Sequence, residues 1–270
     1  MSNIRHDPQA PTTTALHPAG AMIDRHRHDE HQFACVTAGV LAVRTPAGLW
    51  VAPPGRGVWL PAGTWHEHRF YGDSSFHTIG FPASGPAAVP ARLPLERPAI
   101  VDVNSLAREV IIACTAPGIP DDEYARLAAV LHDQLARLPH RPSSLPTPVD
   151  ARLAQACAVV TTELSQSISL TELAATVHTS DRTLTRLFRA EFAMTYPQWR
   201  TSVRVYQALI ELAEGRTITE TAHRCGWATT SAFIDSFHRA TGHTPGTYQR
   251  VRNQDRRGAA DLPRSPRHPW

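Results

Sequence analysis

Ser169-Leu-Thr-Glu172-Leu-Ala174, followed by Leu184 and Phe188 and closing on Thr195-Tyr-Pro-Gln-Trp199, has a rough copy further along the chain. The copy runs Thr217-Ile-Thr-Glu220-Thr-Ala222, then Phe233 and Phe237, and closes on Thr244-Pro-Gly-Thr-Tyr248. The offset is 48 residues at the glutamates and 49 from Leu184/Phe233 onward, so one residue has been added at the internal turn. Ser169-x-x-Glu172 and Thr217-x-x-Glu220 are both capping boxes, in which hydroxyl and carboxylate satisfy orphan N–H groups at a helix start. Leu170, Leu173, Ala174 and Val177 follow the first box at helical spacing, as Ile218, Ala222 and Cys225 follow the second. Each copy then breaks, at His178-Thr179-Ser180 and at Gly226-Trp227-Ala228-Thr229, where Gly226 supplies the backbone freedom of a tight turn. Ser180 and Thr229 are placed to cap the helices that follow.

In those following helices Leu184, Leu187 and Phe188, and likewise Phe233 and Phe237, recur at i, i+3, i+4 spacing and face inward. The opposite face of the first carries Arg182, Thr183, Thr185, Arg186 and Arg189. That is the composition of a recognition helix, whose first turns meet base edges in the major groove of DNA. Two helical hairpins with solvated polar faces would explain one copy. A repeat of caps, turn and core together points instead to a duplicated helix–turn–helix.

Residues 150–252 resemble the DNA-binding domain of AraC/XylS-type transcription regulators. The segment Gly226-Trp-Ala-Thr-Thr-Ser231-Ala-Phe233-Ile-Asp-Ser-Phe237-His-Arg-Ala-Thr-Gly242-His-Thr-Pro245-Gly-Thr-Tyr248 fits that family's signature nearly end to end. The resemblance implies two helix–turn–helix motifs, about 169–190 and 217–240, joined by a long central helix from Pro197 to about Glu214. Both recognition helices would then enter successive major grooves of promoter DNA. Base-contacting positions implied for the first are Arg182, Thr185 and Arg186; for the second they are Thr230, Ser231 and Asp235, with Thr229 alongside. Asp235 departs from the pattern, because the family commonly places Arg there, as this chain does at Arg186. A carboxylate repels phosphate, although it can accept from a cytosine amine. Specificity is therefore expected to rest mainly on the first reader.

The charge balance is modest. All 27 basic side chains are Arg and the formal net charge is +3. Residues 150–252 hold 11 Arg against 9 acids, a balance of +2. Such a domain depends on placed arginines, whose guanidinium binds phosphate and guanine bidentately, and on dimerisation.

The chain has 270 residues of which 42% are apolar, enough for two cored domains. It has no apolar run of ~18 residues, so no membrane span is expected. Its first residues are polar, unlike a signal peptide. Cys35, Cys114, Cys157 and Cys225 show no paired or metal-like spacing and read as reduced, buried thiols. The expected location is the cytoplasm.

The first ~85 residues have a different texture. Short β-type runs (Phe33–Val36, Val40–Thr45, Leu49–Ala52, Val58–Leu60, His66–Tyr71, His77–Phe81) alternate with turn signals, which argues for a small β-barrel or jelly roll. His26, His28, His31, His66, His68 and His77 cluster within it. His26-x-His28 puts two imidazoles on one face of a strand. His26-x-His28-x-x-x-Gln32-x6-Gly39, followed by Gly55-x5-Pro61-x-Gly63-x-x-His66, resembles the two cupin motifs, with Gln32 in place of Glu and Phe70 in place of Asn. The resemblance makes His26, His28, Gln32 and His66 the candidate effector pocket and the candidate ligands of one divalent transition metal. Regulators of the AraC type often carry such a barrel without metal, so a metal-free polar lining stays open beside the metal reading. His31 and His68 are expected to point outward.

Two helical patterns follow. One has Leu106, Val110, Ile111 and Cys114 on one side, and the other has Leu127, Val130, Leu131, Leu135 and Leu138 after Asp121-Asp122-Glu123. Such a stripe packs on the barrel or pairs with a second subunit, and the family resemblance favours pairing. Pro139-His-Arg-Pro-Ser-Ser-Leu-Pro-Thr-Pro148 reads as a semi-rigid spacer.

The expected class is α+β with two domains: a β-barrel of cupin or jelly-roll type, then an all-α domain with two helix–turn–helix motifs. Residues 1–18 form a disordered N-terminus, 19–100 the effector barrel, 101–138 a helical dimerisation segment and 139–149 the linker. Residues 150–252 form the DNA-binding domain and 253–270 a disordered Arg/Pro-rich tail. The function expected is a transcription regulator that senses a small molecule, acts as a homodimer on promoter DNA, and meets RNA polymerase if it activates. The rival is a metal-dependent cupin enzyme fused to a DNA anchor, for which only Glu67 and Asp73 offer acid–base groups near the motifs.

Overall fold

The computed structural model describes residues 5–84, 96–141 and 144–250. They divide into two compact units, the division falling in the chain between Ser144 and Leu145.

The first unit is built on two long strands. They are β4 (His31–Thr45) and β7 (His66–Phe81), antiparallel from His31↔Phe81 to Arg44↔Glu67. Around them stand β1 (Arg5–His6), β2 (Thr13–His17), β3 (Met22–Arg27), β5 (Gly48–Ala52), β6 (Arg56–Leu60), β8 (Ala99–Asp102) and β9 (His140–Arg141). The order is β1-β3-β7-β4-β6-β8-β9, with β2 added on β7 and β5 on β4. The two-domain α+β class stands, but the barrel expectation is corrected. Among the described residues the strand path is open from β1 to β9 and does not return on itself.

Period-two alternation explains why β4 is apolar almost throughout. Ala34 and Val36 pack with Leu60, Phe70 and Phe76 on one side, while Phe33 and Cys35 pack with Trp59, Ile79 and Phe81 on the other. Both faces are covered, so four runs expected as separate strands fuse into two. The bend in each falls at a glycine with positive φ, Gly39 at 79° and Gly72 at 67°. At the crossing a Cβ on Gly39 would lie 2.0 Å from Ser74 Oγ, so only glycine lets the strands approach there.

Helices α1 (Ser105–Cys114) and α2 (Asp121–Arg137) lie on the second face. Asn104 caps α1 by accepting from the Ala107 N–H at 2.8 Å. Val110, Ile111, Cys114, Leu131 and Leu135 are buried against the sheet. Of the two expectations for this apolar stripe, it meets the one in which it covers its own sheet, and Leu106 (52% exposed) and Val130 (41%) remain outward. Two corrections concern boundaries. Residues 5–6 and 13–17 are strands, not a disordered N-terminus, because β2 finds the free flank of β7 from Thr13↔Thr78 to His17↔Ser74. The spacer holds two short strands, β9 against β8 and β10 (Leu145–Pro146). The tail at 253–270 lies outside the described residues.

The second unit is helical: α3 (Ala151–Thr162), α4 (Leu170–Thr176), α5 (Asp181–Phe192), α6 (Tyr196–Ala213), α7 (Ile218–Arg224) and α8 (Thr230–Thr241). Both expected capping boxes form, and α6 begins with a third, Thr195 with Gln198. Leu153, Val160, Leu173, Leu184, Phe188, Phe192 and Trp199 make the first core. Trp227, Phe233 and Phe237 stack in sequence in the second, with ring centroids 4.9 and 5.5 Å apart.

Candidate functional site

The turn of each helical repeat aims its recognition helix. In the first, His178 takes the left-handed conformation at φ 52°; in the second Gly226 does, at φ 79°. These positions are 48 apart, whereas the caps Ser180 and Thr229 are 49 apart, so the added residue lies between Gly226 and Thr229. Ser180 Oγ accepts from the Thr183 N–H and Thr229 Oγ1 from the Ala232 N–H, both at 3.2 Å. Buried Leu184, Leu187, Phe188 and Phe192 fix the inner face of α5. That leaves Arg182, Thr185, Arg186 and Arg189 exposed along one open groove. Thr183 is half-buried, its hydroxyl 2.9 Å from Ser180 Oγ. Among the described residues none of the three arginines has an ion-pair partner. On α8, Thr229, Ser231 and Asp235 are exposed and Thr230 is half-buried, over an inner face of Phe233 and Phe237.

Glu211, which the sequence reading did not single out, ties the second reader to the central helix. It is buried at 5% exposure on α6 and accepts from Arg224 Nε at 2.7 Å and Gln207 Nε2 at 3.0 Å. A lone glutamate on an amphipathic helix carries no local signal of such a pairing.

In the first unit, β3 and β7 bring four histidines together. His26 is the cross-strand partner of His66, after a bulge that follows Ile23. Their ring centroids lie 4.2 Å apart, with His28 at 5.0 Å from His26 and His68 at 5.0 Å from His66. All four are buried. His68 is thus inside, 1% exposed, which corrects its outward assignment. On one strand side chains two apart share a face, so His66 and His68 belong together. His31 stays apart from the group, stacked on Trp59 with Nδ1 accepting from the Ala62 N–H at 3.1 Å. Gln32 is buried, and its Oε1 has no partner among the described residues. His77 is also buried but bonds Thr115 Oγ1 at 2.8 Å under α1.

Burial disfavours the charged imidazole throughout. Desolvation pushes His66 down to about 3, and the neighbouring His26 and His28 push the same way. His26 and His28 are lowered by burial, and His68 well below the ordinary range. The pocket is therefore a set of neutral rings. Zinc and similar ions take this donor type, and ligand atoms of His26, His66 and His68 lie within 4.8 Å of one another. The residues fit a transition metal. The acids of the rival enzyme reading are engaged elsewhere: Glu67 pairs with Arg44 at 3.0 Å on the face of β7 opposite His66, and Asp73 Oδ1 accepts from Ala19 N–H.

Comparison with known proteins agrees with both halves. Residues 12–157 match the family model described as AraC-like ligand binding domain, and residues 173–251 match one described as helix-turn-helix domain. The HTH-type transcriptional regulator NimR of Escherichia coli K12 is 27% identical over 226 residues, covering 83% of this chain and 81% of that protein. The HTH-type transcriptional regulator RipA of Corynebacterium glutamicum is 37% identical over 130 residues, 47% of this chain and 39% of its own. A structure of ToxT from Vibrio cholerae aligns over 91% of this chain and 96% of its own, at 9% identity and a TM-score of 0.39. With the ligand-binding model spanning more than half its length and the paired helix–turn–helix motifs behind it, the chain belongs to the AraC family of transcription regulators.

Proposed function

We propose that this regulator reads promoter DNA chiefly through α5, with Arg182, Arg186 and Arg189 as the principal contacts and Thr183 and Thr185 beside them. Thr229, Thr230, Ser231 and Asp235 on α8 make the lighter second contact. One observation carries the reading: α5 presents three arginines on one exposed face while its other face is locked into the core by Leu184, Leu187, Phe188 and Phe192. Side chains held on a rigid helix can be aimed at base edges, and guanidinium can bind guanine bidentately.

The effector is a small molecule taken up near His26, His28, Gln32 and His66, and it shifts the regulator between two DNA-binding arrangements. Such a shift requires unequal effector affinity for the two. The assembly proposed is a homodimer, since a helical unit with a balance of only +2 gains affinity by placing four readers on one operator. It works in the cytoplasm, where promoters are, and as an activator it would touch RNA polymerase. The test is selection from a random duplex pool with the full chain. One enriched sequence, bound at least about fivefold more weakly by Arg186→Ala, is the expected result. No enrichment, or equal binding by the variant, overturns the reading.

A further inference from the structure

The histidine pocket holds more unpaired acceptors than donors. His26 Nδ1 lies 2.7 Å from the Asp24 carbonyl and His66 Nδ1 2.8 Å from the Thr64 carbonyl. His28 Nδ1 lies 3.1 Å from that of Asp7. A carbonyl oxygen only accepts, so in each neutral ring the proton sits on Nδ1 and Nε2 carries a bare lone pair. Nε2 of His28 and of His66 is buried without a hydrogen-bond partner among the described residues, as are both ring nitrogens of His68. Each such orphan costs about 1–3 kcal/mol when left unsatisfied.

Several lone pairs pointing into one place also repel each other. A single proton donor would satisfy one of them, whereas one metal ion takes a lone pair from each of three rings at once. The ligand atoms of His26, His66 and His68 already stand within 4.8 Å of each other. A zinc-like ion at about 2.0–2.1 Å from each nitrogen would draw them to roughly 3.4 Å apart, a shift small side-chain rotations can supply. The carbonyl bonds at Nδ1 are the kind of outer contact that orients ligating histidines in metal sites.

We propose that the first unit holds one transition-metal ion on His26 Nε2, His66 Nε2 and a ring nitrogen of His68, and that Gln32 is not a ligand. His28, with its ring 5.0 Å from His26, stands next in line for the fourth position. An all-imidazole donor set suits zinc, cobalt, nickel or copper, and a neutral amide oxygen adds little beside it; magnesium and calcium want oxygen ligands that the set lacks. The donor set is built from two strands: His26 comes from β3, and the pair His66/His68 comes from one face of β7.

The experiment is titration of metal-free full-length protein with Co2+, followed by visible absorption and by displacement with Zn2+. Expected are one tight equivalent with the visible bands of a low-symmetry nitrogen site, retention of that site in Gln32→Ala, and its loss by about 100-fold or more in His68→Ala. His68→Gln serves as the second variant if His68→Ala fails to fold by circular dichroism. The site is overturned if wild type gives no tight equivalent. It is also overturned if the triple alanine variant of His26, His66 and His68 binds Co2+ as wild type does. Undiminished binding in a folded His68 variant, or loss in Gln32→Ala, overturns the ligand assignment. Neither DNA nor effector enters this measurement, so its failure leaves the reading of α5 standing.

Discussion

His66 on β7 faces its cross-strand partner His26 on β3 at 4.2 Å between ring centroids, two buried imidazoles that cannot both be charged there without repulsion. Protonation is therefore resisted in the folded state and free in the unfolded chain. The folded pKa values lie below the unfolded 6.5, with His66 at about 3 and His77 at about 4. For such groups stability is full above pH 6.5 and falls as pH drops through and below it, because the unfolded chain binds more protons. Each affected histidine costs about 1.4 kcal/mol per pH unit below that point. We expect the melting temperature of metal-free protein to hold from pH 8 to 7 and to fall steeply from pH 6.5 to 5. A flat midpoint across the lower range would contradict the neutral-ring pocket.

Gly226 aims α8, and its replacement tests how much that turn tolerates. A Cβ there would lie 2.3 Å from the Leu164 carbonyl and 3.1 Å from Ser165 Cα, in a backbone at φ 79° that L-residues rarely adopt. Gly226→Ala should destabilise the helical unit by about 2–4 kcal/mol, the sum of conformational strain and displaced backbone. The equivalent His178→Gly, at φ 52°, should be neutral or mildly stabilising, since relief of strain there opposes a looser unfolded chain. Urea midpoints of both variants decide it. Equal losses would show that the two turns are not the same device.

The helical unit was legible because its signals are local. A capping box spans four residues, and the inward stripe of Leu184, Leu187 and Phe188 spans five, so the central helix was placed within one residue of Tyr196. The sheet unit depends on pairing between distant segments, and local reading lost more of it. Only the end of β3 was legible, through His26-x-His28, because the rest of Met22–Arg27 is mostly exposed and shows no apolar alternation. Closure was expected because many short runs suggested a barrel, yet β4 and β7 are long strands bent at Gly39 and Gly72. His68 could have been found: the spacing that joined His26 to His28 applies equally to His66 and His68. The apolar stripes on α1 and α2 were read correctly, but no sequence says whether such a stripe meets its own sheet or a second copy.

Glu211 offers a measure of how firmly the second reader is held. Its carboxylate is buried at 5% exposure, but Arg224, which bonds it at 2.7 Å, is half-exposed. When the carboxylate is removed, Arg224 and the partly exposed Arg216, which pairs with the same oxygen, can both turn to water, so the loss stays below that of a fully buried pair. Glu211→Gln should cost about 1–2 kcal/mol of unfolding free energy and leave Arg186-dependent DNA recognition in place. A loss of 4 kcal/mol or more would mean that Arg224 becomes trapped without a partner.

Asp235 sets the weight of α8 on DNA. It is exposed on the outer face of α8, beside Ser231 and opposite the buried Phe233 and Phe237, so its charge points the way the helix presents its contacts. In the first repeat the same place is held by Arg186, 49 residues earlier. Asp235→Arg therefore converts a repulsive group into one that can neutralise a phosphate. Counterion release sets the size of the effect: one added phosphate contact steepens the plot of log affinity against log salt by about 0.9. Non-specific duplex should bind more tightly with that steeper slope, and discrimination between operator and random DNA should fall. Arg186→Ala should do the reverse at the first reader, weakening operator binding by about 1–3 kcal/mol, or roughly 5- to 150-fold. If Asp235→Arg leaves both affinity and salt slope unchanged, α8 does not approach the DNA backbone at that position, and binding rests on the first repeat.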